Sequence, residues 1–141
     1  MWLPEPHVGG LFGNNTPAIS GGYRKIYPTG TIGIFISART DAKGRISLFL
    51  ENINVGTHFL NDKTVLIDTA GIPHSYATYE YPTVDFRYIT DSVHTGVVKL
   101  TRSDYPGSGI ISGTFEFNAT LPNGEVVHVT DGRFDVNSRT L

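Results

Sequence analysis

The chain has 141 residues, with 11 Lys and Arg against 13 Asp and Glu, no cysteine, 16 Gly and 8 Pro. That length suits one domain with its own core, and the lack of cysteine excludes a disulfide framework, a thiolate nucleophile and a cysteine metal site. A net charge of -2 with scattered cations gives no basic footprint for nucleic acid, and no stretch approaches the roughly 20 apolar residues of a membrane span.

Residues 1–30 are rich in turn formers: Pro4, Pro6, Pro17 and Pro28 alternate with Gly9, Gly10, Gly13, Gly21, Gly22 and Gly30. They read as a Gly/Pro-rich N-terminal segment in which Trp2 and Leu3 form a short edge strand ended by the prolines. The segment after Gly9 lacks a following Lys-Ser/Thr and is not a phosphate loop. The start, Met1 to Pro6, lacks the basic residues and apolar run of a signal peptide.

Residues 31–141 read as one antiparallel β domain. Ile32, Ile34, Ile36 and Ala38 alternate with Gly33, Phe35, Ser37 and Arg39, and the return run places Ile46, Leu48 and Leu50 on one face. The Asp41-Ala42-Lys43-Gly44 loop between them makes a hairpin, and Phe35 and Phe49 are expected to form a cross-strand aromatic pair. Weaker strands follow at 56–60 and, briefly, at Val65, Leu66 and Ile67. Residues 75–81 and 86–90 are aromatic and β-branched, separated by a turn containing Pro82. The strand at 93–102 sets Val98 and Leu100 on one face.

The terminal hairpin is the clearest pattern. Ile111, Gly113, Phe115, Phe117, Ala119 and Leu121 alternate with polar residues, and Pro122-Asn123-Gly124 turns the chain into Val127 and Val129. Phe134 and Val136 have the opposite parity to those valines, so a β-bulge is expected at Asp131-Gly132, with Gly132 supplying the left-handed conformation. No window of 11 or more residues has a helical period, and turn signals recur at the spacing of sandwiches and barrels. The expected fold is all-β: a single-domain antiparallel β-barrel or β-sandwich with little or no helix. Ile34, Ile36, Leu48, Leu50, Val98, Phe115 and Phe117 are its expected core.

The runs 111–119 and 129–136 together resemble the C-terminal signature of a family of uncharacterised secreted lipoproteins of Bacteroidota. Residues 95–101 and 56–60 look like its central strands, and Trp2-Leu3-Pro4 like its opening strand. The resemblance implies a barrel or sandwich, lipocalin-like in some members, and supplies no catalytic residue. It also implies a cell-envelope location, at the periplasm or outer-membrane surface, with a lipid anchor upstream. This chain departs from that pattern in lacking the leader and anchoring cysteine; the expected location is the envelope if a leader has been removed from this sequence, and the cytoplasm otherwise.

His58, His94 and His128 read as residues of three separate strands, without ligand spacing, so no metal or other cofactor is expected. Asp131, Asp135, Asn118 and Asn137 offer oxygens for a hard cation, but calcium-loop spacing is absent; Asp131 reads as a turn former and Asp135 as a partner of Arg133 or another surface cation. Ser112 is not in a nucleophile elbow. The tyrosines carry the binding argument, since a ring with a hydroxyl suits glycan or peptide contact. Tyr76, Tyr79, Tyr81 and Tyr88 are the candidate ligand-binding residues, with Tyr23, Tyr27 and Tyr105 in loops. Parity groups Tyr76 with Tyr88 and Tyr79 with Tyr81, so one pair is expected in the core and the other on an accessible wall.

The resulting expectation is a non-catalytic envelope β protein that binds a small molecule, a glycan or an envelope protein, and no nucleic acid. A structural or interaction module on the cell surface is the alternative, and an uncharacterised hydrolase the third reading.

Overall fold

The computed structural model describes residues 11–13, 19–26, 30–40, 44–62, 74–80 and 87–137. Among these the chain forms ten strands and no helix: β1 (Leu11–Gly13), β2 (Ile19–Ile26), β3 (Thr31–Thr40), β4 (Gly44–Leu50), β5 (Gly56–Leu60), β6 (Tyr76–Glu80), β7 (Arg87–Ile89), β8 (Gly96–Ser103), β9 (Ile110–Thr120) and β10 (Val126–Asn137). All pairings are antiparallel except a short parallel match of β1 to β10.

The sheet divides into two arms. One runs β2-β3-β4-β6-β7 and the other β1-β10-β9-β8-β5. A single residue pair, Ile89 with Thr120, joins β7 to β9 and hinges them. Among the described residues β1 and β2 end the pairing path unjoined, so the sheet is not closed there and its form is compatible with a barrel or sandwich. Two tyrosines tie the arms through their side chains. Tyr88 of β7 donates to the Glu125 carboxylate beside β10. Tyr23 of β2 meets Ser103 Oγ at 3.2 Å and donates to the Ile110 carbonyl at 3.4 Å.

The core lies between the arms. Ile34, Ile36, Leu48, Leu50, Val98, Phe115 and Phe117 are all buried in one cluster, completed by Leu60, Tyr79, Ile111, Val127, Phe134 and Val136. The alternation expected for both hairpins is thus the pattern of inward faces. At the distal turn Gly124 has φ +94°, and Asn123 Oδ1 accepts from the Glu125 amide at 2.8 Å.

The bulge falls where the parity change requires it, between Val129 and Gly132. Its conformation differs from the expectation. Asp131, at φ +59°, takes the left-handed position. Gly132 is required for another reason: it faces Phe115, and a Cβ there would lie within 2.5 Å of the ring carbons. Aspartate is among the few residues that tolerate this backbone.

The N-terminal segment also differs from its reading. Trp2 and Leu3 lie outside the described residues, as do Val65, Leu66 and Ile67, but β2 is an eight-residue strand paired along its length with β3. Its Gly21-Gly22 pair looks like a turn in sequence. In space Gly21 allows close approach, because a Cβ there would lie 2.9 Å from the Phe35 carbonyl oxygen.

The face of the first arm that turns away from this core is organised in rows. Phe35, Phe49 and Tyr76 stand side by side in register, with ring centroids 5.0 and 4.4 Å apart. Arg24 lies 5.5 Å above the Phe35 ring. The next row is Ser37, Ser47 and Thr78, all buried, with the two serine hydroxyls 3.1 Å apart and Arg45 donating to Ser37 at 2.8 Å. The expected Phe35–Phe49 pair is therefore part of a longer aromatic ladder.

Candidate functional site

The four candidate tyrosines do not form one surface. Tyr79 and Tyr88 are direct cross-strand partners, 6.0 Å apart, and both face the core. Tyr76 is on the opposite face, stacked on Phe49 and only 7% exposed. Tyr81 lies outside the described residues. Grouping by parity fails because the six-residue connection 81–86 pairs residues of opposite parity across β6 and β7. Cross-strand partners share a face whatever their numbers. Burial raises the Tyr76 phenol above its usual range, partly offset by Arg87 and Arg24.

The histidines are separate. His58 is buried on the inner side of β5, its Nε2 2.6 Å from the Asn54 carbonyl. His128 is exposed and paired with Asn118. His94 is in the loop before β8, not on a strand, where Asp91 Oδ1 receives its amide at 2.6 Å and the Val93 amide at 2.9 Å. The bond from the His94 amide is the main cause that holds the Asp91 carboxyl below its ordinary range. His74 Nδ1 meets Asp62 at 2.7 Å. Among the described residues no three of His, Asp and Glu converge as a metal site. Asp131 shapes the bulge, whereas Asp135 accepts from Ser112 Oγ at 2.7 Å rather than pairing with Arg133.

The tyrosines that come together on an accessible surface are Tyr23 and Tyr105. Their rings are 4.9 Å apart and inclined at 53°. They line a cleft of about 380 Å³ with Gly21, Gly22, Asp104 and Pro106, between β2 and the β8–β9 turn. Tyr23 is half-buried and fixed by its bonds to Ser103 and Ile110. Tyr105 is 47% exposed.

The turn that carries Tyr105 is braced from within. Asp104 Oδ2 accepts from the Ser108 amide at 3.0 Å and from Ser108 Oγ at 2.5 Å. Its backbone amide donates to Ile110 O at 3.0 Å, and its carbonyl accepts from the Gly109 amide at 2.9 Å. Arg102 approaches the same carboxylate at 3.8 Å. The site is a braced aromatic pair beside two glycines and an anchored carboxylate.

Sequence reasoning places both residues in loops and misses their partnership, because they are far apart in the chain and meet only when the arms close. No local signal marks Tyr23 as a strand residue, because the Gly21-Gly22 pair before it looks like a turn.

A second region lies over β8, β9 and β10. There a groove of about 310 Å³ includes Lys99, Glu116, Asp131 and Arg133, and an adjoining one of about 400 Å³ reaches Phe59. Phe59 is 67% exposed and stands directly across from Val97.

Among known families the chain matches the one described as Domain of unknown function (DUF6252), over residues 24–136. No curated protein and no solved structure matches the chain. No helix among the described residues is long and apolar enough to cross a membrane.

Proposed function

The chain belongs to the DUF6252 family, and from its geometry we propose that it is a non-catalytic binding protein whose ligand docks in the Tyr23–Tyr105 cleft. One observation carries this reading: a half-exposed aromatic ring held against a second, hydrogen-bonded ring in a concave site. Preorganisation of this kind reduces the ordering cost that binding would otherwise incur. A cleft of about 380 Å³ is at the small end of ligand sites, which run from about 300 to 1,000 Å³.

The test is a binding screen of the wild-type chain and Tyr105→Ala against arrays of glycans, lipids and peptides. Wild type is expected to bind, and the variant to lose that binding while its stability changes by less than about 1 kcal/mol. Binding that survives Tyr105→Ala would move the site elsewhere.

We also propose an envelope location, based on the resemblance of the terminal hairpin to secreted lipoproteins of Bacteroidota. Fractionation of cells carrying the native gene, with protease added to intact cells, tests it; recovery only in the cytosol contradicts it.

The alternative role as an interaction module draws on one observation, the exposed Phe59 opposite Val97 beside the charged groove.

A further inference from the structure

We infer that the cleft takes an uncharged pyranose oligosaccharide, with one sugar ring lying on Tyr105. This rests on the binding reading above and specifies the ligand's chemistry.

Three properties of the cleft point to this class. The first is the ring. Tyr105 is 47% exposed, and Tyr23 leans on it at 53° rather than covering it. A pyranose has an apolar face of axial C–H groups that lies flat on such a ring, and hydroxyls at its rim. The phenol of Tyr105 adds a polar tip at the edge of that apolar platform.

The second is the wall. Gly21 and Gly22 line the cleft with main-chain atoms alone. Backbone amides and carbonyls match the mixed donors and acceptors of sugar hydroxyls. A lipid tail would gain little from such a surface, because it offers nothing to those groups.

The third is charge. Among the described residues that line the cleft Asp104 is the acidic one, and its carboxylate accepts from Ser108. A carboxylate accepts well from a pair of sugar hydroxyls. It disfavours uronic acids, sulfated sugars and nucleic acid, all of which bring negative charge towards it. Arg102 stands 3.8 Å from the carboxylate.

The cleft is small and lies on the surface, so it fits a short stretch of a longer chain. A peptide added as a strand to β2 is the rival occupant. It is less favoured because the opposite wall is a turn whose Asp104 and Gly109 backbone groups already bond within the turn. That wall has no ladder to offer an incoming strand.

The test uses the full chain, with calorimetric titration of cellohexaose, mannohexaose and chitohexaose, oligogalacturonate of the same length, and phospholipid vesicles, plus a random-peptide array. The expected result is saturable binding of at least one neutral hexaose. Oligogalacturonate should bind at least tenfold more weakly. Tyr105→Ala should weaken the neutral sugar by tenfold or more with an unchanged melting midpoint, and Tyr105→Phe should retain most of the binding.

Binding of vesicles or peptides alone, lost in Tyr105→Ala, overturns the sugar assignment and leaves the binding reading standing. A preference for oligogalacturonate overturns the charge argument and with it the inference. Sugar binding unaffected by Tyr105→Ala overturns the site. No binding to any of these probes overturns the inference and the binding reading together.

Discussion

Gly132 and Phe115 face each other across β9 and β10, and the phenylalanine ring fills the space where any other residue at 132 would place its Cβ. The bulge therefore has two requirements at neighbouring positions. Position 131 must tolerate φ +59°, and position 132 must have no side chain.

Gly132→Ala is expected to destabilise the protein by about 1–3 kcal/mol, the usual cost of overpacking a well-filled site. Adding Phe115→Leu should recover part of that loss, because the two positions are in contact and their effects are coupled. Urea unfolding of both single variants and the double variant measures this. Full additivity would mean that the ring is not what the added methyl meets.

Asp131→Val should also destabilise, because a β-branched residue is strained at positive φ, whereas Asp131→Gly should be neutral or stabilising. Equal stability for the two variants would remove the backbone argument.

Leu48 lies in the centre of β4 with about 2% exposure, between Ile36 and Ala77. Leu48→Ala should cost about 2–5 kcal/mol through lost transfer energy and a residual cavity. A cost below about 1 kcal/mol would show that the core between the arms is loosely filled.

Tyr76 makes an alkaline prediction. Burial raises its phenol above the usual value near 10, so the native chain holds that proton more tightly than the unfolded chain does. Its contribution is complete below about pH 10, the unfolded value, and is lost as pH rises through the higher native value. Above about pH 10 the wild type should therefore lose stability more steeply than Tyr76→Phe, which keeps the stack on Phe49 but cannot ionise. Chemical unfolding at about pH 9, 10 and 11 compares the slopes, and parallel slopes would contradict the burial argument.

Metal removal should leave the fold unchanged. A melting midpoint that falls by many degrees in chelator, and returns with one divalent ion, would contradict this.

The elements legible in the sequence are those with one apolar and one polar face. Ile34, Ile36, Leu48 and Leu50, and likewise Phe115 and Phe117, alternate with polar neighbours, and local alternation is what a sequence reports directly. β2 is not legible, because close approach to Phe35 requires Gly21, and glycine there looks the same as glycine in a turn. The tyrosine faces escape for a related reason: parity is kept along one strand and not across a connection. The cleft depends on the meeting of Tyr23 with Ser103 and Tyr105, which local pattern does not encode.

The path of β5 has a consequence for dividing this domain. It lies between β4 and β6 in the chain, yet pairs with β8 in the other arm. β1 likewise precedes the first arm and pairs with β10. A cut in the 91–95 loop therefore yields two fragments, the first of which holds strands that belong to the layer of the second. The first keeps all five strands of its own layer but also carries β1 and β5 without partners, and the second, reduced to β8, β9 and β10, exposes both edges they should cover. Separately expressed, the halves should aggregate through those open edges. Expressed together, they should reassociate by strand pairing, and the pair should recover a cooperative melt that neither half has alone.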